Sequence, residues 1–284
     1  MKRWLATTTS TLGLAATLVA GGTLQAAAAP NPERVTLTSG NSVYQADLLR
    51  FSPDQSWLVD GVETLFTDLY FLNLGNQPQR NLRLEDLQLV GASQPASDQF
   101  SATFSTFGAN LNFSLDSVLL GGASGSDRAT RQETVTLTNA GTDWLDVTLF
   151  KYIDFDLQFD SPFDDDSGVF AGNTFTQTDP SGAMATLTVD QAPTAVQFGS
   201  YGPLLAELYN SPATNLQNSP GPLENTDITA AFQFDRRLAP GEAVVFKFVL
   251  DVQGRAKAKA VPEPGTAFAL GVVAAGLALL RRRG

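Results

Sequence analysis

The chain has 284 residues, 18 of them basic and 29 acidic, and contains no histidine and no cysteine. Those absences exclude disulfides, thiolate nucleophiles, iron–sulfur and zinc-thiolate sites and Ser-His-Asp hydrolysis, and they remove the usual general base at neutral pH. What survives is carboxylate chemistry: paired acids acting on a glycoside, or hard cations held by oxygen.

In chain order the first element is an export signal. Lys2 and Arg3 precede an apolar stretch centred on residues 12–20, and Gln25-Ala26-Ala27-Ala28-Ala29-Pro30 supplies small residues at a cleavage site. This is the three-part pattern of a secretory signal peptide. Cleavage after Ala28 fits best, because proline directly after the scissile bond is generally refused and Gln25 is a poor small residue for a cut after Ala27. The n-region lacks a twin arginine, so the chain is expected to cross unfolded through the Sec machinery. The span from Ala29 to Gly254 then suits one large all-β domain with a sizeable core. It holds ten basic and 28 acidic residues, a net charge of −18. Nucleic acid would be repelled by such a surface, whereas cations, or polymers bridged through them, are expected partners.

Within the domain the hydrophobic period is two almost everywhere. Short β segments are predicted at Val35 and Leu37, Val43 to Leu48, Leu65 to Leu74, Leu82 to Val90, Phe100 to Phe107 and Leu111 to Leu119. More follow at Val135 to Leu137, Met184 to Val189, Val196 and Phe198, Ile228 to Phe234 and Val244 to Val252. No stretch carries helical periodicity with caps. Gly121 to Asp127, Asn139-Ala140-Gly141-Thr142 and Ala239-Pro240-Gly241-Glu242 read as hairpin turns. Gly121 to Gly125 lacks the helix start and lysine of a phosphate loop. The count of strands and turns predicts a single antiparallel β-sandwich, jelly-roll or immunoglobulin-like.

The most explicit patterning runs from Leu145 to Asp160. Leu145, Val147, Leu149, Ile153, Phe155, Leu157 and Phe159 share one parity and are predicted to face the core. Trp144, Asp146, Thr148, Tyr152, Asp154, Asp156 and Asp160 share the other. Lys151 interrupts the apolar parity, and the run exceeds an ordinary strand, so a bulge or bend is expected near Lys151.

Asp154, Asp156 and Asp160, followed by Asp164, Asp165 and Asp166 in a loop opened by Ser161-Pro162, form the one constellation capable of site chemistry. Same-face carboxylates about 6.6 Å apart repel, and calcium would relieve the repulsion, although the spacing is not that of an EF-hand. The same residues also read as a merely solvated acidic loop. As an enzyme site they would need one protonated and one ionised carboxyl group about 5 to 9.5 Å apart beside a sugar-sized cleft, and the sequence identifies no apolar pocket for the acid. Trp57, Trp144 and Tyr152 could stack on sugar rings, or pack the core.

Asn210 to Pro222 is an irregular loop, long for a compact domain, of the kind that forms either a functional rim or a tolerated insertion. Residues 255–261, with Arg255, Lys257 and Lys259, form a basic spacer attracted to an anionic membrane surface. Pro262-Glu263-Pro264, the apolar run Thr266 to Leu280 and Arg281, Arg282 and Arg283 complete the sequence. Fifteen residues of helix span about 22 Å, less than the ~30 Å hydrocarbon core, so the run is thin for a permanent anchor.

This tail resembles a PEP-CTERM sorting signal, carried by exported proteins of Gram-negative bacteria that make extracellular polysaccharide. The resemblance implies recognition by an exosortase at Pro262, Glu263 and Pro264, with Arg281 to Arg283 held on the cytoplasmic side of the inner membrane, and then release or transfer to the surface. Trp57-Leu58-Val59-Asp60-Gly61-Val62-Glu63 and Phe150-Lys151-Tyr152-Ile153-Asp154-Phe155-Asp156-Leu157 also resemble blocks recurring in one group of PEP-CTERM proteins. Leu69-Tyr70-Phe71-Leu72 is less tryptophan-rich than in that group, for which no catalytic role carries over. The resulting expectation is a non-catalytic, exported protein of the cell surface or extracellular matrix, associated with polysaccharide or other surface proteins, through calcium in one version. The alternative is a carbohydrate-active enzyme or carbohydrate-binding module using the acidic residues of 154–166.

Overall fold

The computed structural model describes residues 33–50, 55–75, 80–108, 110–157 and 165–254. The signal peptide, the basic spacer, the sorting tail, Phe159, Asp160 and Asp164 lie outside the described residues. Among the described residues no helix is long and apolar enough to cross a membrane.

The alternating pattern folds as the all-β architecture expected from it. Strands β1 (Arg34–Ser39), β2 (Ser42–Asp47), β3 (Ser56–Val59) and β4 (Val62–Glu63) form a small sheet in that order. β5 (Thr67–Leu74) and β6 (Leu82–Arg83) begin a second sheet, and β7 (Gln88–Ala96), β8 (Gln99–Ser105), β9 (Leu111–Gly121) and β10 (Arg128–Asn139) meander through a third. The chain then returns to the second sheet with β11 (Leu145–Asp154) and to the third with β12 (Ser167–Ala171), β13 (Thr174–Thr178) and β14 (Met184–Val189). β15 (Ala195–Ser200), helix α1 (Pro203–Tyr209), β16 (Leu223–Glu224), β17 (Ile228–Leu238) and β18 (Ala243–Gln253) complete the domain. The nine-stranded sheet has the order β16-β12-β13-β14-β18-β10-β9-β8-β7, the five-stranded sheet β15-β17-β11-β5-β6, and neighbours within both are antiparallel.

The two large sheets pack face to face through aromatic rings. Tyr70 meets Phe113 and Phe248, Phe234 meets Phe246 and Phe248, and Phe175 meets Phe198 and Phe232, with centroids 4.9–6.4 Å apart. Gly121 lets the small sheet approach: a Cβ there would stand 1.7 Å from the Ser39 carbonyl oxygen.

Four expectations need correction. Asn139 to Thr142 and Ala239 to Glu242 are crossovers between sheets rather than hairpins, since β10 and β18 lie in one sheet and β11 and β17 in the other. The two turns lock together, the Gly241 amide donating to the Asn139 carbonyl and the Asn139 amide to that of Glu242. Helix α1 was not foreseen; seven residues are too few to display a period, and only Pro203 in its first turn marks the start. Finally, β11 has no bulge at Lys151: it pairs in continuous register with β17 from Leu145 to Asp154 and with β5 from Val147 to Asp154.

Lys151 keeps the inward parity because its charge is met inside. Its ammonium contacts Asp68 and lies 2.6 Å from Glu133 Oε2, while the Arg131 guanidinium contacts Asp68 and lies 3.4 Å from Glu133 Oε1. All four side chains are at most 3% exposed. The Tyr70 hydroxyl donates to Glu133 at 2.7 Å, and aromatic faces cover the cations, Arg131 over Tyr44 and Trp57 and Lys151 over Tyr70. Burial alone would raise the Glu133 carboxyl; Arg131, Lys151 and its hydrogen bonds outweigh that and hold it at about 2.

The outer face of the five-stranded sheet is also half covered. Tyr152 and Asp154 were expected on an open face, yet both are buried, as is Phe150 on the same parity. Helix α1 and the irregular segment after it reach the neighbours of Phe150: Tyr209 packs edge-on against Phe71 on one side, and the Leu216 amide donates to Gln233 on the other.

Candidate functional site

The acidic residues converge at one end of the sandwich, where β11 runs out and β12 and β17 begin. The Asp154 carbonyl accepts from the Phe66 amide and the Asp156 amide donates to the Thr64 carbonyl, so the chain stays extended beyond β11 and sets Asp156 one step further along. Asp227 immediately precedes β17, and Asp166 immediately precedes β12, tied to it by the Thr226 amide at 3.4 Å. Asp179 follows β13 and caps its own turn by accepting from the Ser181 amide.

Three carboxyl groups here are held well above the usual range. Asp154, 3% exposed, is raised by burial and then by Asp227, Asp156 and Asp166, with Tyr152 buried beside it. Asp156, half-buried, is raised to about 6 by burial, Asp227 and Glu63. Asp166 is raised to about 7 by burial and by Asp179, Asp165 and Asp227, against the hydrogen bond it accepts from Gln177. The charges that push these groups upward are other carboxylates. Such a setting moves carboxyl titration towards neutrality while Asp156 stays partly open to solvent, one requirement for a general acid that the sequence leaves unmet.

Asp165, Asp166 and Asp179 each bring a carboxylate oxygen within 4.8 Å of the others, a spacing that one hard cation could bridge. This trio contains two of the six aspartates considered from sequence and adds Asp179; Asp154 and Asp156 instead stand beside Asp227. Sequence reasoning missed Asp179, Asp227 and Gln177, which arrive from other strands. The only local signal was turn chemistry, Asp179-Pro180-Ser181-Gly182. Of the three aromatic residues considered for sugar stacking, Trp57 and Tyr152 are fully buried and Trp144 is 60% exposed.

No family model matches the chain, and no curated protein matches it. Among solved structures it is similar to a bacterial glucoamylase complexed with acarbose, with a TM-score of 0.53 and 9% identity, over 80% of this chain and 35% of the glucoamylase. The fold is shared with a carbohydrate-active enzyme. The chain spans about a third of that enzyme's length. A putative aldose 1-epimerase from Escherichia coli K12 (TM-score 0.47, 12% identity, 78% of this chain and 99% of that one) is also similar. So is a galactose mutarotase-like protein from Lactobacillus casei (TM-score 0.47, 11% identity, 78% and 99%). The expectation of a non-catalytic protein needs correction. It rested on a resemblance with no catalytic role to carry over and on the absence of an identifiable pocket for an acid, whereas a solved structure that shares the fold is an enzyme, a glucoamylase, and burial raises the carboxyls of Asp154 and Asp156.

Proposed function

We propose that the protein is a carbohydrate-active enzyme performing acid–base chemistry at an anomeric carbon, with Asp156 as the general acid and Asp227 as its carboxylate partner. The observation that carries this reading is the half-buried Asp156 carboxyl, held at about 6 beside Asp227 and Glu63. A protonated Asp156 gives its proton to the oxygen leaving the anomeric carbon, and an ionised neighbour stabilises the positive charge that develops on the sugar ring or activates water. Asp154, more deeply buried, is pushed well above the usual carboxylate range by burial, which limits the repulsion around Asp156. The shared fold supports carbohydrate as the substrate class. Export and exosortase processing, supported by the residues of both termini, would place this activity at the cell surface, where polysaccharide is the available substrate. Mass spectrometry of the mature protein would then find residues 1–28 and those beyond Pro262 to Pro264 missing; recovery of chiefly full-length protein from an exosortase-bearing host would reject processing.

The enzymatic test is a panel of oligosaccharides and polysaccharides assayed for new reducing ends and for anomer exchange. Turnover of at least one substrate is expected, and Asp156→Asn should lower it about 100-fold or more with the circular dichroism spectrum unchanged. An undiminished rate in that variant would reject Asp156 as the acid.

A further inference from the structure

The other end of β11 carries a second polar feature that the acidic cluster does not use. Here the outward side chains remain open, and they form the floor of a groove of about 640 Å3 between the five-stranded sheet and the segment carrying Ala213 and Asn215. Cross-strand neighbours line it in rows: Asp146 faces Arg237, and Thr148 faces Asp235 on one side and Asn73 on the other. The Thr148 hydroxyl donates to Asp235 at 2.7 Å, and Arg237 lies 3.7 Å from Asp146 with both side chains about two-thirds exposed. The far wall is fastened down, the Leu216 amide donating to Gln233 and the Gln217 amide to Gln197. Trp144 adjoins the groove through Arg237, a lining residue whose guanidinium sits over one face of the indole at 5.3 Å from its centre, which leaves the opposite face for a ligand.

Resting on the carbohydrate reading above, we propose that this groove is a binding subsite for an uncharged oligosaccharide, with Trp144 as its stacking platform. Three features select that ligand. Two aspartates and two arginines, Arg236 and Arg237, line the groove and cancel, so it has no charge to offer a uronate or a phosphate. Fixed donors and acceptors alternate along its floor, matching hydroxyl groups that both donate and accept. A 60% exposed indole gives the apolar C–H face of a pyranose a flat surface, while the volume falls within the ~300–1,000 Å3 usual for small-molecule sites. Asp146 and Asp154 are eight residues apart on one strand, about 26 Å at ~3.3 Å per residue. A single short sugar cannot touch both sites, so the groove holds its ligand independently of the acidic cluster.

The experiment is calorimetric titration of the full chain with cellohexaose, maltohexaose and a hexameric alginate oligosaccharide. One of the neutral hexasaccharides should bind, Trp144→Ala and Asp146→Ala should each weaken it at least about tenfold, and the alginate oligomer should bind more weakly than the neutral one. Both residues are exposed, and an unchanged melting temperature confirms that the variants fold. Asp156→Asn should leave this affinity intact. Binding that depends on Trp144 without turnover on any sugar would uphold the groove and sink the catalytic reading. Absence of neutral-sugar binding, binding indifferent to Trp144 and Asp146, or tighter binding of alginate would overturn the groove.

Discussion

Two clusters of buried charge in this domain differ in the signs they collect. Between the sheets, Arg131 and Lys151 meet Asp68 and Glu133, and aromatic faces enclose the group. At the end of the sandwich, Asp154, Asp156 and Asp166 are governed by burial and by further carboxylates. The first arrangement sets two cations against two carboxylates and holds Glu133 at about 2, although burial and Glu133 push Asp68 upward and Arg131 Nε and Nη1 are buried without a hydrogen-bond partner among the described residues. Its contacts join β5 and β11 of one sheet to β10 of the other. The second stores repulsion that is relieved by a proton, a cation or a positively charged transition state. Like burial with unlike sign balance therefore separates a structural cluster from a chemical one.

The largest effect should come from breaking the balanced cluster. Lys151→Met leaves Asp68 and Glu133 with one cation between them, and removing one partner of a buried ion network costs about 3–5 kcal/mol. Urea denaturation should register this as a lower midpoint at unchanged slope. A shift under about 1 kcal/mol would mean that the cluster is not what pins the sheets.

The next effect should appear in the acidic cluster, with the opposite sign for stability. The folded-state value of Asp156, about 6, lies above its ordinary 3.8, so the group favours the folded state below about pH 4, and that contribution is lost as pH rises through 6. Asp156→Asn should therefore be more stable than the parent at pH 8, by about 1–2 kcal/mol after allowance for its solvent exposure, with the gap closing towards pH 4. Thermal melts of both proteins across that range check the sign. A variant that is less stable at pH 8 would show that Asp156 has a stabilising partner.

A smaller shift should follow cation binding at Asp165, Asp166 and Asp179. Calcium at ten times its dissociation constant should add about 1.4 kcal/mol, and magnesium at equal ionic strength less, because the larger ion tolerates irregular oxygen cages. Asp179→Asn should abolish the difference. Equal shifts with both ions would reduce the effect to screening.

These clusters were unequally legible in the sequence. Period-two alternation predicted the sandwich and the inward parity of Val147, Leu149, Ile153 and Phe155, because side-chain direction in a strand is local information. Lys151 looked like a fault in that pattern only because its partners, Asp68, Arg131 and Glu133, come from strands remote in sequence. Asp154 likewise reads as exposed on parity alone, yet it is buried among groups remote in sequence, Asp166 and Asp227, while Trp144 and Asp146 on the same parity stay open. The crossovers at Asn139 and Ala239 were misread for a related reason, since turn residues report a change of direction and not which sheet the next strand joins. Local chemistry was readable; what covers or neutralises it was not.

The pH dependence of turnover tests most directly the proposal that Asp156 delivers a proton to a sugar. Anomeric-proton NMR of a turned-over oligosaccharide should show a rate that falls about tenfold per pH unit above about pH 6, close to 100-fold by pH 8, and that falls again in acid as the carboxylate partner protonates, with Asp156→Asn about 100-fold or more slower at pH 6. A rate that rises from pH 6 to 8, or persists in Asp156→Asn, would contradict the account.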